Sequence, residues 1–471
     1  MTLRLYVSRL RSVGIIPVAL AIVLLAAAGT APRPARAAVA SHFRLALSTP
    51  PQLASVRRDD RYVVLQAWES AEARRLKAAE PHLTVLVYQD FGSMTVGLGP
   101  DDLSSSGVGY AQARTRHPSW FLTTRDGARI QERGYPYLFM ADVGNAGYQR
   151  DWAANVVRLL RRGPWDGVFM DDVNTSPRPE AGSAVIARYP TDRDYEAAVR
   201  SMLAYVGPKI HATGKLAIAN MGDWAGHPAV VRSWLSYVDG GMDEKFVKWA
   251  PQPGLGYRSG RQWLSQEREV LTTESAGKQF LAVTDASRRD SRAQLYGWAS
   301  LLLVADGRAS YLASDSYTGA EQQLGAYGAR LGAPVDGMTE GPGGVFRRLF
   351  ARGLVVVNPT MQTVRVSLGG AFSGSGVTRA SAVTLGPERG LVLVGVRSRA
   401  AAHWWWGAIA GAAVIGLILL LVLWRRARRG GGDLEPGVRP GASRRSGVRI
   451  RRGGPRAGRQ ARLTATPRPR G

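Results

Sequence analysis

Two ten-residue stretches of the chain carry acids at matching offsets. Residues 165–174 read WDGVFMDDVN and residues 237–246 read YVDGGMDEKF. Each contains an Asp-Gly pair, and an acid follows five places after that Asp: Asp171 after Asp166, Glu244 after Asp239. If each is a short strand, its side chains alternate between two faces. Phe169 and Asp171 then share one face and Met170 and Asp172 the other, so one of the adjacent aspartates projects into a site at the strand end. Glu244 lies four residues beyond Gly240, as Asp171 lies four beyond Gly167. Strands that enter in the same register therefore aim Asp171 and Glu244 the same way. The glycine after each Asp suits close approach of a neighbouring backbone. Two carboxylates at one site are what glycosidic hydrolysis needs, one as nucleophile or base and the other as proton donor. We expect Asp171 in the first role and Glu244 in the second. The alternative is two solvated turns, with Glu244 in a surface salt bridge and Asp172 capping a turn or holding Asp171.

The segments that must position these acids alternate in character. Short apolar runs at 43–47, 61–66, 83–90, 135–142, 166–172, 215–223, 237–244, 278–285 and 307–315 read as strands, several of them apolar on both faces as buried parallel strands are. Helix-like stretches lie between them at 70–80, 148–163 and 194–214, the last two closed by Gly163 and Gly214. Eight or nine such βα units over residues 38–338 predict an α/β chain folded as a (β/α)8 TIM barrel. No GxGxxG follows the first strand, which leaves a dinucleotide-binding fold without support. Strand ends carry Asp90, Asp142, Asp171, Asn220 with Asp223, Glu244 and Asp285. In a parallel barrel these ends share the rim where active sites sit. Asp90, Asp142, Asp172, Asn220 and Asp223 are accordingly substrate-binding candidates, although a loop Asp is as readily a turn cap. Tyr88, Trp224 and Trp249, with Trp120, Phe121 and Phe246, are aromatics that suit sugar faces, with core packing as the plainer role.

Composition narrows the chemistry further. The chain has 471 residues and no cysteine, which excludes disulfides, thiolate metal sites and cysteine nucleophiles. None of its six histidines forms a close pair such as HExxH, which leaves a zinc site without support, and two-carboxylate hydrolysis implies no metal and no organic cofactor. The formal charge of +26 is uneven: residues 425–471 carry +13 and residues 1–37 carry +5, leaving +8 over the 387 residues between. That balance implies no phosphate-binding face, and no nucleic-acid partner is expected.

The two ends give an address. Arg4, Arg9 and Arg11 precede an apolar run from Val13 to about Gly29, and Ala35-Arg36-Ala37 supplies an A-x-A site. This is a signal-peptide pattern over 1–37, with an uncleaved anchor as the alternative. Residues 403–424 predict a transmembrane helix. The stretch Trp404–Trp424 has no charged residue, Trp marks both ends, and RRARR follows. The positive-inside rule puts the tail, 425–471, in the cytoplasm and the preceding chain outside. The tail is rich in Arg, Gly and Pro and predicted to be disordered, with anionic lipid as its expected contact. Between barrel and membrane, 339–398 reads as a small antiparallel, β-sandwich-like domain with Asn-Pro and Gly-Pro turns and no acidic cluster, suited to supporting the barrel.

Taken in order, YLFMADVGNAGYQRDWAANVVRLL, WDGVFMDDVN, IANMG, DGGMDEKF and RLFARGLVVVNPT resemble the glycosyl hydrolase-like family 15 proteins, a group of barrel proteins related to glycosidases. The resemblance spans roughly 60–397. It implies a (β/α)8 barrel with a C-terminal β domain. It places the Asp of the family's DG-x-x-x-D motif on Asp171, at the end of the fourth strand, and the later Glu on Glu244. The resulting expectation is a membrane-anchored, extracytoplasmic glycoside hydrolase acting on an envelope or extracellular polysaccharide. The alternative is a non-catalytic carbohydrate-binding or envelope-assembly protein on the same scaffold.

Overall fold

A computed structural model describes residues 39–396, apart from 49–55, 57, 98–104, 223 and 317–323. The segments expected as a signal peptide (1–37), a transmembrane helix (403–424) and a tail (425–471) lie outside the described residues, as does Asp223. Among the described residues no helix is long and apolar enough to cross a membrane.

The chain enters on β1 (Ala40–Ala46), β2 (Asp60–Leu65), helix α1 (Ser70–Ala79) and β3 (Thr84–Asp90). It then leaves the barrel for a three-stranded antiparallel sheet, β4 (Ser93–Thr95), β5 (Gln131–Glu132) and β6 (Tyr135–Met140), with α2 (Tyr110–Arg116) inside the excursion. Regular alternation resumes with α3 (Ala146–Arg162), β7 (Gly167–Asp171), α4 (Arg178–Ala181), α5 (Asp192–His211), β8 (Leu216–Asn220), α6 (Pro228–Trp234), β9 (Gly240–Asp243), α7 (Gly260–Ser275), β10 (Gln279–Asp285), α8 (Ser291–Val304) and β11 (Ala309–Ser314). Eight parallel strands close in the order β1-β11-β10-β9-β8-β7-β3-β2. The expected barrel is therefore present, and β7, which carries Asp171, is its fourth strand. The segment 135–142 is the exception. β6 pairs antiparallel with β4 and β5, outside the barrel. Its tyrosines and Pro136 are exposed, which a strand buried on both faces could not be.

Alternation along each strand builds two cores. Leu86, Tyr88, Phe169, Ile218, Met242 and Leu281 are among the residues that fill the barrel interior. Their neighbours Val85, Val87, Val168, Met170, Ala217 and Ala219 face the helices. The longest helices start where the sequence supplies a cap. Asn145 accepts the Gly147 and Tyr148 amides at the head of α3, and Thr191 and Asp194 form a capping box at α5. Helix α3 also grips the rim: Trp152 Nε1 donates to the Asp90 carbonyl at 2.8 Å and Tyr148 Oη to the Phe91 carbonyl at 3.1 Å.

After the barrel come β12 (Thr339–Glu340), β13 (Phe346–Phe350), β14 (Gly353–Asn358), β15 (Val364–Gly374), β16 (Val377–Leu385) and β17 (Arg389–Gly395). They form one antiparallel sheet in the order β12-β13-β14-β17-β15-β16. The hairpin β15–β16 joins β17 through Phe372 and Ser373, and Leu368 and Leu385 pack with Leu354, Val356 and Leu393. On the other face Val355, Val357 and Val392 belong to the barrel's outer core. Arg348, buried in this sheet, donates to the Leu302 and Ala305 carbonyls at 3.1 and 2.7 Å, satisfying the open end of α8.

Both Asp-Gly pairs turn out to do the same structural job. Asp166 Oδ2 accepts the Val85 amide at 3.0 Å, and Asp239 Oδ2 accepts the Ala217 amide at 2.8 Å. Each carboxylate thus ties its own strand to the start of the preceding neighbour. A Cβ at Gly167 would sit 2.5 Å from the Leu216 carbonyl oxygen, and one at Gly240 would sit 2.5 Å from that of Gln279. Neither contact can relax without moving a barrel strand. Gly240→Ala is expected to cost about 2 kcal/mol or more, the range of overpacked cores, read as a lowered melting temperature in thermal unfolding.

Candidate active site

Asp171 is the last residue of β7, and its carboxylate is held on both oxygens. Oδ2 accepts from Tyr88 Oη at 2.7 Å, and Oδ1 accepts from Asn220 Nδ2 at 2.8 Å and from the Asp172 amide at 3.1 Å. The same Asn220 Nδ2 donates to Glu244 Oε2 at 3.0 Å. With both acceptors on one nitrogen, the two oxygens can be no further apart than those bonds laid end to end, 5.8 Å. Both acids are partly open to solvent. Asp171 and Glu244 therefore form one carboxylate pair at the rim.

Register explains how, and it differs from the sequence expectation. Phe169 lies level with Ile218, and Ile218 with Gly240, so Gly240 is level with Phe169 and not with Gly167. The two strands are staggered by two residues. A stagger of one would have turned Glu244 to the opposite face. A stagger of two is a full pleat and keeps it inward, above Met242 as Asp171 stands above Phe169.

The loop after β9 is fastened from behind. Gln266 of α7 donates to Asp243 Oδ2 at 2.7 Å and to the Lys245 carbonyl at 3.1 Å, and its own oxygen accepts the Val247 amide at 2.7 Å. Val247 is held at φ +54°, a costly conformation for a β-branched residue. Asp172, directly after Asp171, also lies in the left-handed region at φ +56°. Strained backbone thus follows both acids, and packing around them pins it.

That turn sends the Asp172 side chain away from Asp171 and toward Asp90 and Glu132. One oxygen from each of the three lies within 4.8 Å of the others. Asp90 is fully buried, with Oδ1 accepting the Gly92 and Ser93 amides at 2.9 and 2.6 Å, and Glu132 accepts from the Ser93 hydroxyl. Three carboxyls this close and this enclosed cannot all ionise. Burial, then the Glu132 and Asp171 charges, push Asp90 well above the carboxylate range. Burial and the Asp90 charge do the same to Asp172. Burial raises Glu132 to about 7, against the pull of the Ser93 hydroxyl. An acid raised on folding stabilises the fold below its ordinary value of 4.5, and that stability is lost as pH climbs through about 7. We expect the melting temperature to fall over this interval and part of the fall to vanish in Glu132→Gln. Thermal melts across pH on both proteins would show it, and identical pH dependence would contradict it.

Asp171 is raised as well, by burial first and the Glu244 charge second. Its bonds from Asn220, Tyr88 and the Asp172 amide oppose the shift.

The other candidates separate cleanly. Asn220 bridges the pair. Tyr88 is a positioning residue, its ring inside the barrel against Phe169 and its hydroxyl on Asp171. Of the expected substrate binders Asp90 and Asp172, Asp90 is fully buried in the carboxyl cluster, while Asp172 joins that cluster and stays partly open to solvent. Asp142 follows antiparallel β6, not a barrel strand. Its carboxylate accepts from Tyr189 Oη and the Gly144 amide and pairs with Arg188 at 3.0 Å, so it organises its own loop. Trp224 is also corrected: it is buried against Phe280 and fills the space that a Cβ at Gly241 would need. Trp120, Phe121 and Phe246 are buried too. Trp249, 53% exposed in the loop after Glu244, keeps the form of a sugar-facing aromatic. Asp285 ends β10, and Lys248 Nζ donates to its carbonyl at 2.9 Å. Sequence reasoning missed Glu132 and Gln266. Neither ends a barrel strand, and only the inserted sheet and the α7 face bring them in.

The description of hypothetical glycosyl hydrolase family 15 matches residues 77–354, more than half of the chain. The chain belongs to that family. Membership places this barrel among the glycoside hydrolases, and the matched span contains Asp171, Asn220 and Glu244. Solved structures similar to the chain include the glycoside hydrolase domain of PelA from Pseudomonas aeruginosa, at 14% identity over 59% of this chain and 96% of that one, with a TM-score of 0.41. Ega3 from Aspergillus fumigatus, in complex with galactosamine, is 12% identical over 62% of this chain and 97% of its own, at 0.41. The noncanonic maltogenic α-amylase AmyB from Thermotoga neapolitana is 12% identical over 76% and 99%, at 0.42. No curated protein matches the chain.

Proposed function

We propose that this family member cleaves a polysaccharide outside the cell with Asp171 as nucleophile and Glu244 as acid and base, tethered to the membrane through 403–424. The observation that carries the reading is the single Asn220 nitrogen bonded to both carboxylates. Three donors orient Asp171 and oppose the upward push of burial and the Glu244 charge on its carboxyl, toward the anion that a nucleophile requires. In the first step the Asp171 carboxylate bonds to the anomeric carbon as the glycosidic C–O bond breaks, and Glu244 gives its proton to the departing oxygen. In the second, Glu244 takes a proton from water, whose oxygen displaces Asp171. An oxygen gap of at most 5.8 Å favours this two-step course. Retaining enzymes hold their carboxyls about 5 to 5.5 Å apart, whereas inverting enzymes leave roughly 6.5 Å or more for a water.

The test is depolymerisation. The full chain in membrane vesicles is offered a panel of envelope and extracellular glycans, and new reducing ends are counted. At least one glycan should be shortened. No release from any glycan would contradict the proposal.

A further inference from the structure

The inserted sheet carries a feature that the two-carboxylate chemistry does not use. Tyr135 and Tyr137 are 51% and 46% exposed, their rings 6.1 Å apart and 79° to each other. Adjacent bare aromatics on a regular sheet are costly to leave in water and commonly mark a binding groove. Neither hydroxyl has a hydrogen-bond partner among the described residues. Alternation along β6 puts both rings on one face. Tyr135 pairs with Glu132 at an irregularity in the hairpin ladder, and the Glu132 carboxyl reaches Asp172, the neighbour of Asp171. Burial raises the Tyr135 phenol, and the Glu244, Asp171 and Asp172 charges add to the shift, as expected for a ring at the mouth of the site.

The support is rigid. Gly134, at φ +91°, makes the turn between β5 and β6. On one side β6 pairs with β4, which follows β3. On the other, the Arg133 amide donates to the Glu180 carbonyl at 2.7 Å, tying the turn to α4 after β7. The rings are thus held between the strand ends that carry Tyr88 and Asp171.

We propose that Tyr135 and Tyr137 form a sugar subsite beside the Asp171–Glu244 pair, binding a non-reacting pyranose of the glycan chain. The perpendicular rings make a corner, in which one ring offers its face to the apolar C–H side of the sugar while the other bounds it by its edge. The free hydroxyls and Arg133, two residues before Tyr135, supply donors to the sugar oxygens. This assignment rests on the reading of the barrel as a glycan-cleaving enzyme.

Binding and cleavage separate the two ideas. Affinity electrophoresis of the full chain in detergent, through gels holding amylose, dextran, chitosan or glycol chitin, reports binding without turnover. Wild type should be retarded by at least one glycan. Tyr135→Ala/Tyr137→Ala should weaken that binding about tenfold, and Tyr135→Phe, which keeps the ring, should lose little. Both positions are surface-exposed, and an unchanged melting temperature would confirm a folded variant. Equal retardation of the double variant and wild type would overturn the subsite, as would a wild type retarded by none of the four. Retardation that depends on the tyrosines, in a protein that cleaves nothing, would uphold the subsite and sink the hydrolase reading. Normal cleavage and binding by the double variant would do the reverse.

Discussion

Asp171→Asn is expected to remove turnover by roughly 10⁴-fold or more in kcat while leaving the fold and glycan affinity in place. The substitution keeps shape and size, and Asn220 still has Glu244 to bond. What disappears is the negative oxygen that the proposed mechanism brings to the anomeric carbon. Asp172 is the nearest acid in sequence, but its left-handed backbone points it at Asp90 and Glu132. Reducing-end release gives the rate, and affinity electrophoresis with thermal melting gives binding and fold. A variant that cleaves at the wild-type rate would remove Asp171 from the mechanism. A wild type and variant that bind alike while neither cleaves would favour the carbohydrate-binding alternative.

Glu244→Gln is expected to be nearly as damaging on natural glycans, by about 10²- to 10⁴-fold, because a sugar leaving group needs the proton that the proposed mechanism assigns to Glu244. The loss should shrink on an aryl glycoside whose leaving group departs without protonation. Asp171→Asn should show no such relief, since attack at the anomeric carbon is needed whatever leaves. Rates of both variants on a polysaccharide and on a nitrophenyl glycoside of the same sugar would separate the roles. Equal losses on the two substrates in Glu244→Gln would argue against proton donation.

Much of this site was legible in the sequence because strand alternation and barrel topology are local rules. Phe169 and Asp171 had to share a face, and the ends of parallel strands had to meet at one rim. The pairing of Asp171 with Glu244 followed. Its stated reason, a common register, was incomplete, since barrel shear staggers the strands by two residues and the pleat returns the same face. Other parts depended on long-range placement. YPYLFMAD has the composition of a buried strand, yet its Tyr and Pro positions stand in solvent in an antiparallel excursion, and Asp142 left the site with it. The Asp-Gly pairs drew attention as chemistry, whereas Asp166 and Asp239 fasten neighbouring strands and their glycines make room for the backbone. Asp172 could be turned out of the strand face from alternation alone. Its partners Asp90 and Glu132 come from elements 40 or more residues earlier, which no local pattern connects. Trp224 had the look of a sugar platform until packing put it under Gly241.

The most direct test of the carboxylate pair is the configuration of the first product. Proton NMR of the anomeric signal, recorded within minutes of adding enzyme to whichever glycan is cleaved, distinguishes the two outcomes before mutarotation blurs them. Two carboxylates bridged by one Asn220 nitrogen should release a product with the anomeric configuration of the substrate. A first product of opposite configuration would mean that water attacks directly, which the gap of at most 5.8 Å leaves no room for, and would contradict Asp171 as the nucleophile.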